Sequence, residues 1–138
     1  MVLYKKLDLK QVCLLAQAFA KEYRNKDMIV GFSGVLGSGK TTFIKEVGKT
    51  LGVKKIKSPS FIVMAAHKAR GKYFYHLDLY RLNQARQLDH LGVKELFESK
   101  NRIIVIEWVE KFPKIKKICD VNITITINKD KTRNVKIT

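Results

Sequence analysis

The sequence predicts a three-layer α/β domain in which a mainly parallel sheet carries antiparallel hairpin additions. Residues 28–32 form a short apolar run, which a glycine-rich loop joins to a helical pattern of apolar residues. Residues 103–106 are continuously apolar, which is typical of a strand buried on both faces of a parallel sheet. Residues 121–127 alternate Val or Ile with Asn or Thr, as a half-buried strand does. We expect one domain over residues 1–138, because that length can bury a core without disulfide bonds.

The N-terminal part of the chain contains two predicted helices and one strand. Asp8 is placed to cap a helix from Leu9 to Tyr23. The apolar face of this helix carries Leu9, Val12, Cys13, Ala16, Phe19, Ala20 and Tyr23. The strand Met28–Phe32 precedes the glycine-rich loop, and the next helix runs from Thr41 to Leu51, where Gly52 is expected to end it.

A hairpin is predicted in the middle of the chain. Pro59 excludes a helix, and the first strand is expected from Phe61 to Ala66. A turn over His67–Lys72 leads to the return strand, Tyr73–Leu79. If that strand is regular, one of its faces carries Phe74, His76, Asp78 and Tyr80. A histidine and an aspartate two residues apart are more often structural than functional, so this pair alone assigns no role.

The C-terminal half is predicted to complete the sheet. A short helix over Gln84–His90 and a further turn over Val93–Phe97 precede the notable stretch Arg102–Trp108. Within it, the buried strand is the apolar run Ile103–Ile106, which ends at Glu107. The second hairpin then consists of the strand Val121–Ile127, a polar turn, and the strand Asn134–Thr138.

The segment from Gly34 to Thr41 fits the phosphate-binding (Walker A) motif G-x-x-x-x-G-K-[ST] without a mismatch. Its glycines allow successive backbone N–H groups to surround a polyphosphate, and the following helix adds the positive end of its dipole. Lys40 is placed to reach the β- and γ-phosphates, and the Thr41 hydroxyl can bind Mg²⁺. The nucleotide-binding candidates of this segment are Leu36, Gly37, Ser38, Gly39, Lys40, Thr41 and Thr42. The motif between strand and helix predicts a P-loop NTPase-like domain that binds a nucleoside triphosphate, rather than a glycine-rich turn without function.

Glu107 is a second candidate for the metal site. In phosphate-loop proteins, a carboxylate at the C-terminal end of a buried strand holds Mg²⁺ directly or through water. Aspartate is the commoner residue there, and a surface glutamate after a strand is the alternative interpretation. We expect the neighbouring Trp108 to serve core packing rather than to form a wall of the site.

The net charge of +16 suggests a polyanionic partner such as nucleic acid. The lysines are dispersed and lack interleaved aromatic residues, so we favour a solvated lysine-rich surface and leave a weak contact with tRNA open. The two cysteines, Cys13 and Cys119, suggest no disulfide framework. No apolar run has the length of a membrane helix, and we expect a cytoplasmic protein without membrane association.

The other motifs restrict the class of nucleotide-binding protein. A GTPase should carry the guanine-binding pattern Asn-Lys-x-Asp, but Asn128–Lys131 has its acidic residue one position early. No ABC-type signature segment stands between the loop and Glu107. A small-molecule kinase would need an arginine-bearing lid and a second substrate region, for which there is little room. An adenine nucleotide hydrolase that acts as a switch or is driven by a partner fits best. A kinase and a non-enzymatic tRNA-binding accessory protein stay as alternatives.

Four motifs in order add a family resemblance. They are Gly34-x-Leu36-Gly37-x-Gly39-Lys40-Thr41-Thr42-Phe43, Ser58-Pro59-Ser60-Phe61, His76-x-Asp78-Leu79-Tyr80-Arg81-Leu82 and Ile106-Glu107-Trp108-x-Glu110. Together they resemble the TsaE (YjeE) family, the bacterial ATPases of the tRNA threonylcarbamoyladenosine pathway. The resemblance covers nearly the whole chain.

The resemblance implies roles for individual residues. Lys40, Asp78 and Glu107 would be the catalytic residues, with Asp78 near the γ-phosphate as a ligand of metal-bound water or a water-positioning group. Thr41 and Glu107 would hold Mg²⁺, the segment Ser58–Phe61 would be a switch-like loop, and Arg133 would approach the nucleotide.

The resemblance also implies partners and a pathway. Members of this family support TsaD and TsaB, which attach threonylcarbamoyl to N6 of adenosine 37 in tRNAs that read codons beginning with adenine. The expected activity is Mg²⁺-dependent ATP hydrolysis, weak in the isolated protein and stimulated by these partners. The γ-phosphate of ATP is expected to order the segments around Ser58 and Asp78, and hydrolysis to release them.

Overall fold

A seven-stranded mixed sheet forms the centre of the computed structural model, which describes residues 1–56 and 63–138. The strands are β1 (Val2–Leu7), β2 (Met28–Ser33), β3 (Met64–Ala69), β4 (Lys72–Asp78), β5 (Arg102–Glu107), β6 (Val121–Ile127) and β7 (Arg133–Ile137). Their spatial order is β1-β7-β6-β2-β5-β4-β3. The four central strands, β6, β2, β5 and β4, are parallel, whereas β7, β1 and β3 add antiparallel edges. The predicted mainly parallel sheet with antiparallel additions is therefore confirmed.

Helices cover both faces of this sheet. They are α1 (Leu9–Tyr23), α2 (Lys40–Thr50), α3 (Arg86–Asp89), α4 (Val93–Glu98) and α5 (Pro113–Ile118), and a 3₁₀ turn covers Val109–Lys111. Successive side chains of a strand point to opposite faces, and β5 shows the result. Val105 belongs to the apolar cluster beneath α1 and α2, whereas Ile104 and Ile106 belong to the cluster that includes residues of α3 and α4. The three-layer α/β architecture is thus confirmed.

Helix α1 has the predicted bounds and the predicted cap. The Asp8 carboxylate accepts a 2.8 Å hydrogen bond from the Gln11 N–H, and the Gln11 side chain accepts a 2.9 Å bond from the Asp8 N–H. This reciprocal pair is a capping box, which satisfies two backbone donors at once. The expectation that Leu9 is buried is wrong, because this residue of the first turn lies outside the apolar cluster and is 69% exposed.

The middle hairpin exists, but its turn is shorter than predicted. Residues 61 and 62 of the expected strand Phe61–Ala66 lie outside the described range, and β3 continues past Ala66 to Ala69. The pairing of β3 with β4 extends to the pair Ala69–Lys72, so only two residues form the turn. Gly71 supplies the positive φ of 69° that so tight a turn needs.

Several shorter elements differ from the predictions. The helix expected over Gln84–His90 is reduced to the four residues of α3, while Val93–Phe97 is a helix rather than a turn. Strand β1 and helix α5 were not predicted. The side chains of β1 are nearly all exposed, and α5 contains no buried residue, so neither shows the burial pattern that sequence periodicity detects. Across both described ranges, no helix combines the length and the apolar character that crossing a bilayer would require.

Candidate functional site

The glycine-rich loop connects the end of β2 to the start of α2, at the carboxyl edge of the parallel strands. Gly34, Gly37 and Gly39 have φ values of 147°, 79° and 108°, which side-chain-bearing residues rarely adopt. A Cβ at Gly34 would also collide with the carbonyl oxygen of Ile125 in β6. The backbone path of the loop therefore depends on glycine at these positions.

The loop encloses the side chain of its own lysine. Lys40 Nζ donates hydrogen bonds to the carbonyl oxygens of Gly34 and Val35, the second at 3.1 Å. The ammonium lies 4.0 Å from the centre of the Trp108 ring, so a cation–π contact holds it from the other side. The lysine is only 4% exposed.

Burial makes this ammonium responsive to anions. Burial lowers the pKa of Lys40, while the carboxylates of Glu107, Glu110 and Asp78 oppose that shift. Because a poorly hydrated cation has little water to lose, it gains more from an anionic ligand than an exposed lysine does. The loop can thus receive a phosphate with Lys40 already in place.

A threonine, a glutamate and a histidine form the centre of the site. The Thr41 hydroxyl donates a 3.0 Å hydrogen bond to Glu107 Oε1, and His76 Nε2 lies 2.7 Å from Glu107 Oε2. Both His76 and Glu107 are almost completely buried. Hydroxyl and carboxylate oxygens suit Mg²⁺, which usually keeps few protein ligands and completes its shell with phosphates and water. The residues therefore fit such an ion, although no cluster of three or more His, Cys, Asp or Glu side chains in the described ranges could hold a metal alone.

Asp78 stands next to Glu107 in the sheet. The two residues are register partners at the ends of β4 and β5. Asp78 Oδ1 accepts a 3.0 Å hydrogen bond from the Tyr80 N–H. Burial raises the pKa of Asp78, and the nearby Glu107 carboxylate raises it further. The carboxyl group is thus held at the cavity wall in an environment that favours proton uptake.

Arg133, at the start of β7, connects the C-terminal hairpin to the loop. Its Nε donates a 2.8 Å hydrogen bond to the Ser38 carbonyl, and Nη2 lies 3.4 Å from the Gly37 carbonyl. Nη1 also donates to the Lys131 carbonyl. The guanidinium therefore holds two consecutive carbonyls of the loop, a contact that the sequence pattern did not predict.

One cavity of about 620 Å³ brings the loop, Asp78, Glu107 and Arg133 together. It is lined by every predicted site residue, namely Leu36, Gly37, Ser38, Gly39, Lys40, Thr41, Thr42, Asp78, Glu107 and Arg133. The structure adds Leu9, Val12, Val63, Tyr80, Arg81, Trp108 and Lys131. The cationic side chains in this lining outnumber the two carboxylates, which favours an anionic ligand. The predicted switch-like segment, Ser58–Phe61, lies outside the described residues.

Three residues near the centre have contacts that the sequence analysis missed. Trp108 was expected only to pack in the core; it does pack against the second apolar cluster, but it also forms a wall of the cavity. Its φ of 62° turns the chain just after β5 ends. Glu110 Oε1 accepts a 3.1 Å hydrogen bond from the Gly34 N–H. The Glu-Trp-x-Glu spacing was the available signal for these two residues, and the pattern His-x-Asp on one strand face was the signal for His76.

Comparisons with known proteins agree with this geometry. Residues 7–135 match the family model described as threonylcarbamoyl adenosine biosynthesis protein TsaE. A tRNA threonylcarbamoyladenosine biosynthesis protein TsaE from Haemophilus influenzae is 32% identical over 123 residues, which cover 88% of this chain and 77% of the relative. A TsaE protein from Aquifex aeolicus is 30% identical over 126 residues, which cover 89% of this chain and 85% of the relative.

A solved structure shares the fold. The crystal structure of YdiB from Bacillus superposes with a TM-score of 0.74 and covers 99% of this chain and 83% of YdiB, at 21% sequence identity. The family match extends over almost the entire chain, and it includes the loop, the His-x-Asp strand and Glu107. This chain therefore belongs to the TsaE family, whose members take part in the biosynthesis of tRNA threonylcarbamoyladenosine.

Proposed function

We propose that this protein binds ATP with Mg²⁺ in the cavity around Lys40 and hydrolyses it, as an accessory protein that the threonylcarbamoyl modification of tRNA requires. Its partners would be TsaD and TsaB, and the modified atom N6 of adenosine 37 in tRNAs reading codons that begin with adenine. The observation that carries this proposal is the meeting of the glycine-rich loop, Thr41 and Glu107 at one cavity. We further propose that residues 1–138 form one domain and that the protein acts in the cytoplasm, where TsaD and TsaB would modify the tRNA.

Phosphate binding would use the loop and Lys40. The loop leads directly into the first turn of α2, where the free backbone N–H groups of a helix N-terminus and the helix dipole favour negative charge. Lys40 now contacts the carbonyl oxygens of Gly34 and Val35, which are weaker partners for an ammonium than a phosphate oxygen. We therefore expect Lys40 to exchange at least one carbonyl for a phosphate when ATP binds.

Thr41 and Glu107 would hold the metal ion. Bound Mg²⁺ would neutralise the negative charge that develops on the phosphate oxygens while the γ-phosphoryl group is transferred to water. Glu107 is buried and hydrogen-bonded on both oxygens, so protein contacts alone fix the orientation of its carboxylate. Asp78, its neighbour in register, would position the attacking water or a metal-bound water.

Partner proteins would detect whether ATP is bound through residues beside the cavity, namely Asp78 and Val63. Val63 lines the cavity, and its carbonyl accepts a 2.8 Å hydrogen bond from the Asp78 N–H. The segment Ser58–Phe61 comes shortly before this contact in the sequence. A change at Asp78 on ATP hydrolysis would therefore reach Val63, which follows that segment by two positions in the sequence, and partner proteins would sense this change.

The test compares two lysine variants of the same helix. Lys40→Ala should abolish nucleotide binding or hydrolysis, because it removes the buried ammonium of the loop. Lys45→Ala is the matched control, since Lys45 is an exposed lysine on α2. Binding of a fluorescent ATP analogue and release of inorganic phosphate are measured for both. Equal activity of Lys40→Ala and the unmodified protein would overturn the proposal.

The same assays separate the alternatives. A small-molecule kinase would consume ATP only with a phosphate acceptor, so a screen of nucleosides and metabolites would reveal it. A non-enzymatic tRNA-binding protein would bind tRNA in a salt-sensitive manner that is indifferent to Lys40→Ala.

A further inference from the structure

His76 is a fully buried polar residue outside the predicted nucleotide contacts. It lies in β4 and is 0% exposed. Its Nε2 is 2.7 Å from Glu107 Oε2, while Nδ1 is buried without a hydrogen-bond partner among the described residues. Burying an unpartnered polar atom costs about 1–3 kcal/mol, so core packing alone would favour an apolar side chain here. The hydrogen bond between the ring and Glu107 is an interaction that an apolar side chain could not make and that offsets this cost.

Because of that contact, the two carboxylate oxygens of Glu107 have different hydrogen-bond partners. Glu107 Oε1 accepts the hydrogen bond from the Thr41 hydroxyl, on the side of the loop. Glu107 Oε2 is held by the imidazole on the side of β4. A glutamate has three rotatable side-chain bonds, and the imidazole contact removes the remaining freedom of the carboxylate plane.

We propose that His76 is a positioning residue, which donates its Nε2–H to Glu107 and thereby orients the carboxylate for the metal-bound nucleotide. This inference rests on the proposed function, because it assigns His76 a role through Glu107. Outer partners of this kind typically change metal affinity by about 10–100-fold when they are removed. His76 itself contacts neither nucleotide nor metal in this proposal.

Three variants of His76 separate positioning from packing. His76→Leu keeps an apolar side chain of moderate size but removes the donor. In His76→Gln, the side-chain amide can place its NH₂ group near the position of Nε2, so the donor is restored. His76→Asn is also an amide, but it is too short to reach Glu107. Phe74→Leu is the control for a change in packing, since Phe74 is equally buried on the same face of β4.

The readout is the effect of Mg²⁺ on the binding of a fluorescent ATP analogue, which needs no turnover. For each variant, the dissociation constant is measured without and with Mg²⁺, and their ratio gives the metal coupling. We expect His76→Leu and His76→Asn to reduce this ratio by about tenfold, with metal-free binding unchanged. His76→Gln and Phe74→Leu should keep the ratio of the unmodified protein.

Other results overturn the inference in distinguishable ways. If the unmodified protein shows a metal effect and His76→Asn and His76→Gln retain it equally, His76 does not position Glu107. This comparison holds even if His76→Leu fails to fold. If the unmodified protein binds the analogue with no metal effect, the metal part of the proposed function fails, and the role of His76 fails with it.

Discussion

The Thr41 hydroxyl donates a 3.0 Å hydrogen bond to Glu107 although the two residues are 66 positions apart in the chain. Thr41 lies in the first turn of the helix after β2, and Glu107 is the last residue of β5. Strands β2 and β5 are parallel neighbours, so their carboxyl ends lie at the same edge of the sheet. Parallel pairing therefore brings the two metal-ligand candidates into direct contact.

Neutralising Glu107 should uncouple nucleotide binding from metal-dependent turnover. Glu107→Gln has nearly the same shape and keeps an acceptor for Thr41, but it removes the negative charge. We expect Mg²⁺-dependent ATP hydrolysis to fall by at least about tenfold, while nucleotide binding without Mg²⁺ is retained. Glu98→Gln, an exposed glutamate of α4, is the control. Phosphate release measured over a range of Mg²⁺ concentrations checks this, and unchanged turnover would refute a metal role for Glu107.

Removing the guanidinium of Arg133 should weaken nucleotide binding by loosening the loop. The Nε bond to the Ser38 carbonyl and the Nη2 contact to the Gly37 carbonyl fix two peptide groups of the loop. Hydrogen bonds with a charged partner contribute about 1.5–3 kcal/mol, which corresponds to at least a tenfold loss of affinity for Arg133→Met.

Lys136→Met provides the comparison, because Lys136 is an exposed cation on the same strand. It removes one positive charge without touching the loop. If both variants lose affinity equally, the effect of Arg133 is one of net charge and not of loop geometry.

The carboxyl group of Asp78 should make stability depend on pH. Burial raises its pKa in the folded protein above the value in the unfolded chain, so the folded state binds the proton more tightly. The contribution of this group is fully favourable below the unfolded pKa and is lost as the pH rises through the raised folded pKa. Asp78→Asn cannot ionise and should not suffer this loss.

Urea unfolding over the acid-to-neutral range measures this effect. We expect the free energy of unfolding of Asp78→Asn, relative to the unmodified protein, to increase as the pH rises from the ordinary aspartate pKa toward neutrality. The same variant should lose ATP hydrolysis if Asp78 has the water-positioning role proposed above, because the carboxylate is replaced by an amide. A stability difference that does not change with pH would show that Asp78 is not desolvated in the folded protein.

The capping box of α1 should contribute measurably to stability. Asp8→Ala removes the acceptor for the Gln11 N–H, whereas the backbone N–H of residue 8 stays available to the Gln11 side chain. We expect a loss of about 1 kcal/mol in the free energy of unfolding. Lys10→Ala, an exposed substitution on the same helix, should change this value little. Equal effects of the two substitutions would contradict the assigned cap.

Sequence patterns predicted the parts of the fold that have strong local causes. The glycine-rich loop between strand and helix, the continuous apolar run of β5 and the alternation of β6 each reflect a burial pattern with a definite period. Strand β1 lacks such a pattern, because it lies at the edge of the sheet and nearly all of its side chains are exposed. It joins the sheet through backbone pairing with β7. The two-residue turn at Gly71 depended on how far the pairing of β3 and β4 extends, which local sequence does not specify.

The site was predictable to a similar extent. Motif chemistry identified Lys40, Thr41 and Glu107, and the structure places all three at one cavity. The contact of Arg133 with the Ser38 carbonyl joins residues 95 positions apart, so no local pattern could predict its partner. The pair His76–Glu107 likewise depends on β4 lying beside β5, and only the sheet order reveals it.

ATP hydrolysis by the purified protein, alone and with purified TsaD and TsaB, tests the central claim most directly. We predict that the isolated protein releases phosphate slowly and that the partners increase the rate, with Lys40→Ala inactive under both conditions. Binding of ATP without any increase on addition of the partners would contradict a partner-gated ATPase.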